Sequence, residues 1–209
     1  MNDTIAAIAT PPGVAGLAVV RASGAGAIDC AASVFSGADL RSVATHTVHH
    51  GSIRAADGGL VDDVLATVFR APGSYTGENS VEISCHGGGI ASRFVLERLL
   101  EAGSRLADPG EFTRRAFLNG KMDLAQAEAV ADLIHAQTNE AHRASLLQLE
   151  GKLSSHIAGI RDALLHCLGM LELSLDFVED DVEFLTPEDV RADIRAARTL
   201  LQVALDSYS

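Results

Sequence analysis

Residues 108–124, DPGEFTRRAFLNGKMDL, divide the chain: the residues before them read as strands joined by glycine-rich turns, and those after them read as helix. The stretch carries its own punctuation. Asp108 suits a helix N-cap, Pro109 the first helical position, where a missing N–H costs nothing, and Glu111 stands where its side chain can reach back to Asp108. The spacing predicts a short helix from about Pro109 to Leu118, ended by the left-handed backbone that Asn119-Gly120 can supply. Asp123 with Gln126 then offers the cap of a second helix. Arg114, Arg115 and Lys121 are expected to converge near this corner of an otherwise acidic chain.

The 209 residues are enough for two modest domains, and the change of hydrophobic period at residues 108–124 favours two over one. Sixteen basic against 28 acidic side chains give a net charge of −12, which opposes a broad grip on a phosphate backbone. Any nucleic acid would be held chiefly by something else. Cys30, Cys85 and Cys167 stand far apart with no CxxC pair, so neither a disulfide framework nor a zinc ribbon is suggested, and a reducing compartment is expected. No apolar run of about 18 residues occurs and the start is acidic, which predicts no leader, no membrane span and a cytoplasmic protein.

Ahead of the dividing stretch, residues 4–10, 17–21, 46–54, 60–69, 81–85 and 105–107 read as strands. Asp57-Gly58-Gly59 is a hairpin signal, and helices are predicted between Gly24 and Phe35 and over Ile90–Leu100, the latter burying Phe94 and Leu96–Leu100. Strands with interspersed helices make an α+β domain. Behind it, apolar residues from Leu146 to Leu175 recur in steps of three and four, a long amphipathic helix, with Thr138-Asn139 the break from the helix before it. A charged run, Glu179–Glu183, should end that helix. Thr186 and Pro187 open a last one, whose apolar side (Val190, Ile194, Ala197, Leu201, Leu205) needs a partner surface.

Several motifs fail on inspection. Gly24-Ala25-Gly26 lacks the third glycine of a dinucleotide fingerprint, and no G-x-x-x-x-G-K-[ST] occurs. His86-Gly87-Gly88-Gly89 resembles an oxyanion-hole segment, but no G-x-S-x-G elbow accompanies it, so close backbone approach explains the glycines better. His46, His49 and His50 fall on a predicted strand with no further ligand nearby in sequence, and no metal site is expected. Arg21, Glu82 and Lys121 are more informative. Each reads on chemistry alone as a surface charge or ion-pair partner, yet Arg21 and Glu82 interrupt apolar runs, where an unpaired charge is costly if buried. A ligand with one amide-like edge and separate carboxylates would answer all three.

The segments TPPGVAGLAVVRASG, APGSYTGENSVEISCHGG and DPGEFTRRAFLNGKMDLAQAEAVADLI resemble, in order, the amino-terminal part of the MnmE (TrmE) family of tRNA-modification GTPases. The resemblance implies an α+β tetrahydrofolate-binding and dimerisation domain over residues 1–118, of the glycine-cleavage aminomethyltransferase type. Residues 119–209 would then be the first part of a helical-bundle domain. It carries the folate-contacting positions onto Arg21 of VVRASG, Glu82 of SVEIS and Lys121 of FLNGK, with 5-formyl- or 5,10-methylene-tetrahydrofolate as cofactor. It implies a homodimer that works with the FAD-dependent MnmG (GidA) flavoprotein to add a carboxymethylaminomethyl or aminomethyl group at C5 of a wobble uridine in tRNA. GTP, Mg2+ and K+ belong to family motifs that this sequence does not contain, so the chain alone is expected neither to hydrolyse GTP nor to complete that chemistry. A stand-alone folate-dependent one-carbon transferase is the alternative.

Overall fold

The computed structural model describes residues 3–176 and 186–206, and the chain forms two compact units, Met1–Met122 and Asp123–Ser209. The charged run Glu179–Glu183 lies outside the described residues. No helix among the described residues is long and apolar enough to cross a membrane.

The first unit is an α+β domain built on one sheet. Its strands are β1 (Ile5–Ile8), β2 (Leu17–Ser23), β3 (Phe35–Ser36), β4 (Thr47–Arg54), β5 (Leu60–Phe69), β6 (Ser80–His86) and β7 (Arg105–Leu106), in the order β3-β4-β5-β6-β2-β1-β7. All neighbours are antiparallel except β1 and β7. Helices α1 (Ala27–Val34), α2 (Gly89–Glu101) and α3 (Glu111–Leu118) complete it. Alternation divides the sheet into two faces. Ala18, Val20 and Ala22 of β2, Val64, Ala66 and Val68 of β5, and Val81, Ile83 and Cys85 of β6 are buried in one core with Ala27, Ile28 and Ala31 of α1 and Val95 and Leu99 of α2. The residues between them, among them Arg21, Leu65, Thr67, Glu82 and Ser84, belong to the opposite face, where Leu65 and its neighbour Val48 are exposed.

Several expectations need correction here. Helix α2 buries Ser92, Val95 and Leu99, whereas Phe94 is exposed beneath the Arg93 guanidinium. His46 precedes β4 with a positive φ of 61° and sets its ring edge-on to Phe69, so only His49 and His50 belong to the strand. Helix α3 starts at Glu111, two residues late, because Gly110 takes φ 72°. Glu111 does reach back, accepting the Asp108 N–H at 2.9 Å, but the Asp108 side chain caps nothing. The far end agrees with the sequence: Gly120 is left-handed, and the N–H groups of Gly120 and Lys121 return to the carbonyls of Phe117 and Ala116, a double closure of the helix end.

The second unit is helical: α4 (Leu124–His135), α5 (Asn139–Leu149), α6 (Lys152–Asp176) and α7 (Pro187–Asp206). Asp123 and Gln126 form a reciprocal capping box for α4, and Thr138 caps α5, so the break at Thr138-Asn139 is where the sequence puts it. The expected single helix from Leu146 onward is broken once more at Gly151, whose φ of 75° ends α5. Gln126 and Gln148 tie α4 to α5, each side-chain amide donating to a carbonyl of the other helix, Leu149 and Ala125. Of the apolar side of α7, Ala197 is buried while Ile194, Leu201 and Leu205 remain exposed.

Candidate functional site

Arg21 and Glu82 are direct cross-strand partners, since the β2–β6 register sets them opposite each other. Arg21 Nε and Nη2 both meet Glu82 Oε1, at 2.8 and 2.7 Å, and the two side chains keep 24% and 29% of their exposure. Each therefore satisfies the other, which is how two charges persist within apolar strands. Among the described residues Glu82 Oε2 has no hydrogen-bond partner.

Two rings enclose the Arg21 guanidinium, Tyr75 at 5.1 Å and Phe112 at 5.5 Å from ring centre to Cζ. Tyr75 is fixed in turn, its hydroxyl 2.9 Å from Thr113 Oγ1. Residues from β2, β6, the 71–79 loop and α3 thus meet at one spot. Sequence reasoning missed Tyr75, Phe112 and Thr113. An aromatic inside the turn cluster APGSYTGENS was the available signal for Tyr75; nothing local distinguishes Phe112 from a core residue of α3.

Lys121 contacts the same loop but not the pair. Its Nζ donates to Pro72 O at 3.1 Å, its side chain is exposed, and its stem runs along Gly77, where a Cβ would lie 3.2 Å from Lys121 Cγ. The expected convergence of Arg114, Arg115 and Lys121 is corrected by burial: Arg115 retains 1% of its exposure and is enclosed by Asp3, Glu78 and Glu111, so it offers no charge to a ligand. That network anchors the site. Arg115 on α3 binds Glu78 in the 71–79 loop and Asp3 before β1, and Ser23 Oγ also donates to Glu78, at 2.8 Å.

A cleft of about 390 Å³ lies elsewhere in this unit, between the β1–β2 loop and the start of α2, lined by Ile8, Pro12, Leu17, Gly88, Ser92 and Arg93 among others. None of Arg21, Glu82 and Lys121 lines it. Shape and charge therefore point to different places, and the Arg21–Glu82 pair with its two rings has the chemistry for a planar, hydrogen-bonding ligand that the mostly apolar cleft lacks.

Comparison with known proteins settles the family. Residues 4–121 match the family described as GTP-binding protein TrmE N-terminus, and residues 124–209 match the MnmE helical domain. Among curated relatives, the tRNA modification GTPase MnmE of Salinibacter ruber is 50% identical over 207 residues, covering 99% of this chain and 45% of the relative. That of Chlorobium phaeobacteroides is 50% identical over 212 residues, 99% of this chain and 44% of the relative. That of Cytophaga hutchinsonii is 45% identical over 208 residues, 100% of this chain and 45% of the relative. The chain thus spans less than half the length of the curated relatives it matches. With both units matched along their lengths, the chain belongs to the MnmE (TrmE) family of tRNA-modification GTPases.

Proposed function

We propose that this chain is the folate-binding and dimer-forming portion of a GTP-hydrolysing tRNA-modification enzyme. With a flavin-dependent MnmG (GidA) partner, the enzyme installs an aminomethyl-type group at C5 of a wobble uridine. The observation that carries the reading is the Arg21–Glu82 pair between Tyr75 and Phe112. The residues fit a reduced pterin. Glu82 Oε2 can accept from an amino-pyrimidinone edge, while Arg21, bonded to Oε1, holds the side chain in place. Lys121, exposed and held to a neutral carbonyl, can swing to a folate carboxylate. When bound, the folate would supply the one-carbon unit; the side chains orient it. Exposed Leu17, Val48 and Leu65 give the sheet an apolar surface suited to a second copy.

Titration calorimetry with 5-formyl-tetrahydrofolate tests the reading. Glu82→Gln should weaken binding by about 1.5–3 kcal/mol, the scale of a hydrogen bond to a charged group. Unchanged affinity would remove Glu82 from the site, and no binding by the unaltered chain would remove the folate reading.

A further inference from the structure

The Arg21–Glu82 pair is lopsided. A guanidinium and a carboxylate commonly meet as a parallel fork, one N–H to each oxygen. Here Arg21 Nε and Nη2 both fall on Glu82 Oε1, at 2.8 and 2.7 Å, and Oε2 is left over. A fork would use both oxygens and leave a ligand none.

The rings beside Arg21 oppose the fork. The guanidinium lies 5.1 Å from the Tyr75 ring centre and 5.5 Å from that of Phe112, and rolling it about Oε1 must shift it over both, against the cation–π attraction. Tyr75 is held at two ends. Its neighbour Thr76 keeps 1% of its exposure, with Oγ1 2.7 Å from Ser23 Oγ and its carbonyl accepting from Asn119 Nδ2 at 2.7 Å, so the backbone of the loop is clamped. At the far end of the ring, the Tyr75 hydroxyl lies 2.9 Å from Thr113 Oγ1. Thr113 directly follows Phe112 in α3, so one turn of that helix supplies one ring and tethers the other.

We propose that Thr113 is a positioning residue for folate binding: through the Tyr75 hydroxyl it holds the ring against Arg21, which keeps the guanidinium on Oε1 and leaves Oε2 open to the pterin edge. This rests on the folate reading above and supplies the reason that the acceptor is free. With the ring released, Arg21 closes into the fork, and a ligand must displace an N–H from Oε2 before it can bind. The charge of the pair does not change. What changes is the competition for one oxygen.

Titration calorimetry with 5-formyl-tetrahydrofolate on the 209-residue chain tests this. Thr113→Val keeps the shape of the side chain and removes its hydroxyl; it should weaken binding about three- to tenfold, the range of one neutral hydrogen bond. Thr113→Ser keeps the hydroxyl and should bind as the wild type does. Tyr75→Phe removes the same bond from its other end, so it should match Thr113→Val, and the double variant should be no weaker than either alone. Tyr75→Phe also stands in should Thr113→Val fail to fold. A carboxamide has one oxygen and cannot accept the fork, so in a Glu82→Gln background Thr113→Val should have no effect; where that background binds too weakly to titrate, the serine variant and the double variant decide. Wild-type affinity in Thr113→Val, a loss shared by Thr113→Ser, additive losses in the double variant, or an undiminished effect beside Glu82→Gln overturns the inference and leaves the folate reading standing. Absence of folate binding by the wild type overturns both.

Discussion

Replacing Arg115 with leucine should lower the stability of the sheet-bearing unit by about 3–5 kcal/mol, the range for stripping the partner from a buried charge. Arg115 donates from Nη2 to Asp3 Oδ1 at 2.8 Å and to Glu111 Oε1 at 3.1 Å, and from Nη1 to Asp3 O at 2.9 Å and Glu78 Oε1 at 3.2 Å. Glu111, with a side chain fully out of solvent, would keep Arg105 but lose the cation beneath it. Urea unfolding reads the loss. The double variant Arg115→Leu with Glu111→Gln should cost less than the sum of the single changes, because the two share hydrogen bonds. Additive losses would show that the network is not one energetic unit.

The same network gives the fold an acid limit. Hydrogen bonds from Arg105, joined by the Asp108 N–H and Arg115, outweigh burial and hold the Glu111 carboxyl well below the usual carboxylate range. A depressed folded-state value means the unfolded chain takes up the proton first as pH falls. The stabilisation is therefore complete above the ordinary glutamate range, shrinks as pH drops below it, and is gone beneath the folded value. Thermal melts from pH 6 to pH 3 should show the wild type losing more stability than Glu111→Gln, and parallel curves would contradict this.

How far the sequence carried depends on the range of the interaction concerned. Helix ends written in adjacent residues were legible: the Asp123–Gln126 box and the closure at Gly120 both involve partners within a few positions, and the break at Thr138-Asn139 is fixed by a cap of the same short range. The start of α3 was misjudged for a physical reason of the same range, since Pro109 could open a helix but Gly110 adopts a backbone that Asp108 cannot cap. Arg115 was misjudged for a long-range one. It stands a turn from Glu111, yet Asp3 and Glu78, remote in sequence, are what turn a seemingly free cation into a buried one. The pairing of Arg21 with Glu82 also needs sheet register, 61 residues apart, and periodicity alone supplies no register. What could be read was that each charge, set among apolar neighbours, required a partner.

The three glycines after His86 should respond differently to alanine, and the difference tests how the end of β6 is built. Gly87→Ala should be the most damaging, because its Cβ would lie 2.0 Å from Ala15 O and 2.5 Å from Ala15 C. These are backbone atoms of the β1–β2 loop, and Gly87 N–H already donates to Gly16 O at 3.2 Å, so the loop can yield only by leaving β6. Overpacking of this kind costs about 1–3 kcal/mol, and the backbone contact puts Gly87 at the upper end. Gly88→Ala meets nothing within 4 Å but holds φ at 96°, a strain of about 1–3 kcal/mol for a residue with a Cβ. Gly89→Ala meets neither obstacle; at the first residue of α2 it should be neutral or stabilise by up to about 1 kcal/mol through the unfolded chain. Urea midpoints should therefore fall in the order Gly89→Ala, Gly88→Ala, Gly87→Ala. Because the Leu17–His86 pairing lies directly beside Gly87, only the last substitution should also disturb the His86 ring, whose hydrogen bond to Asp62 raises its basicity, read as loss of that raised titration in proton NMR. Normal stability and an unmoved His86 in Gly87→Ala would mean that the loop does not press on β6.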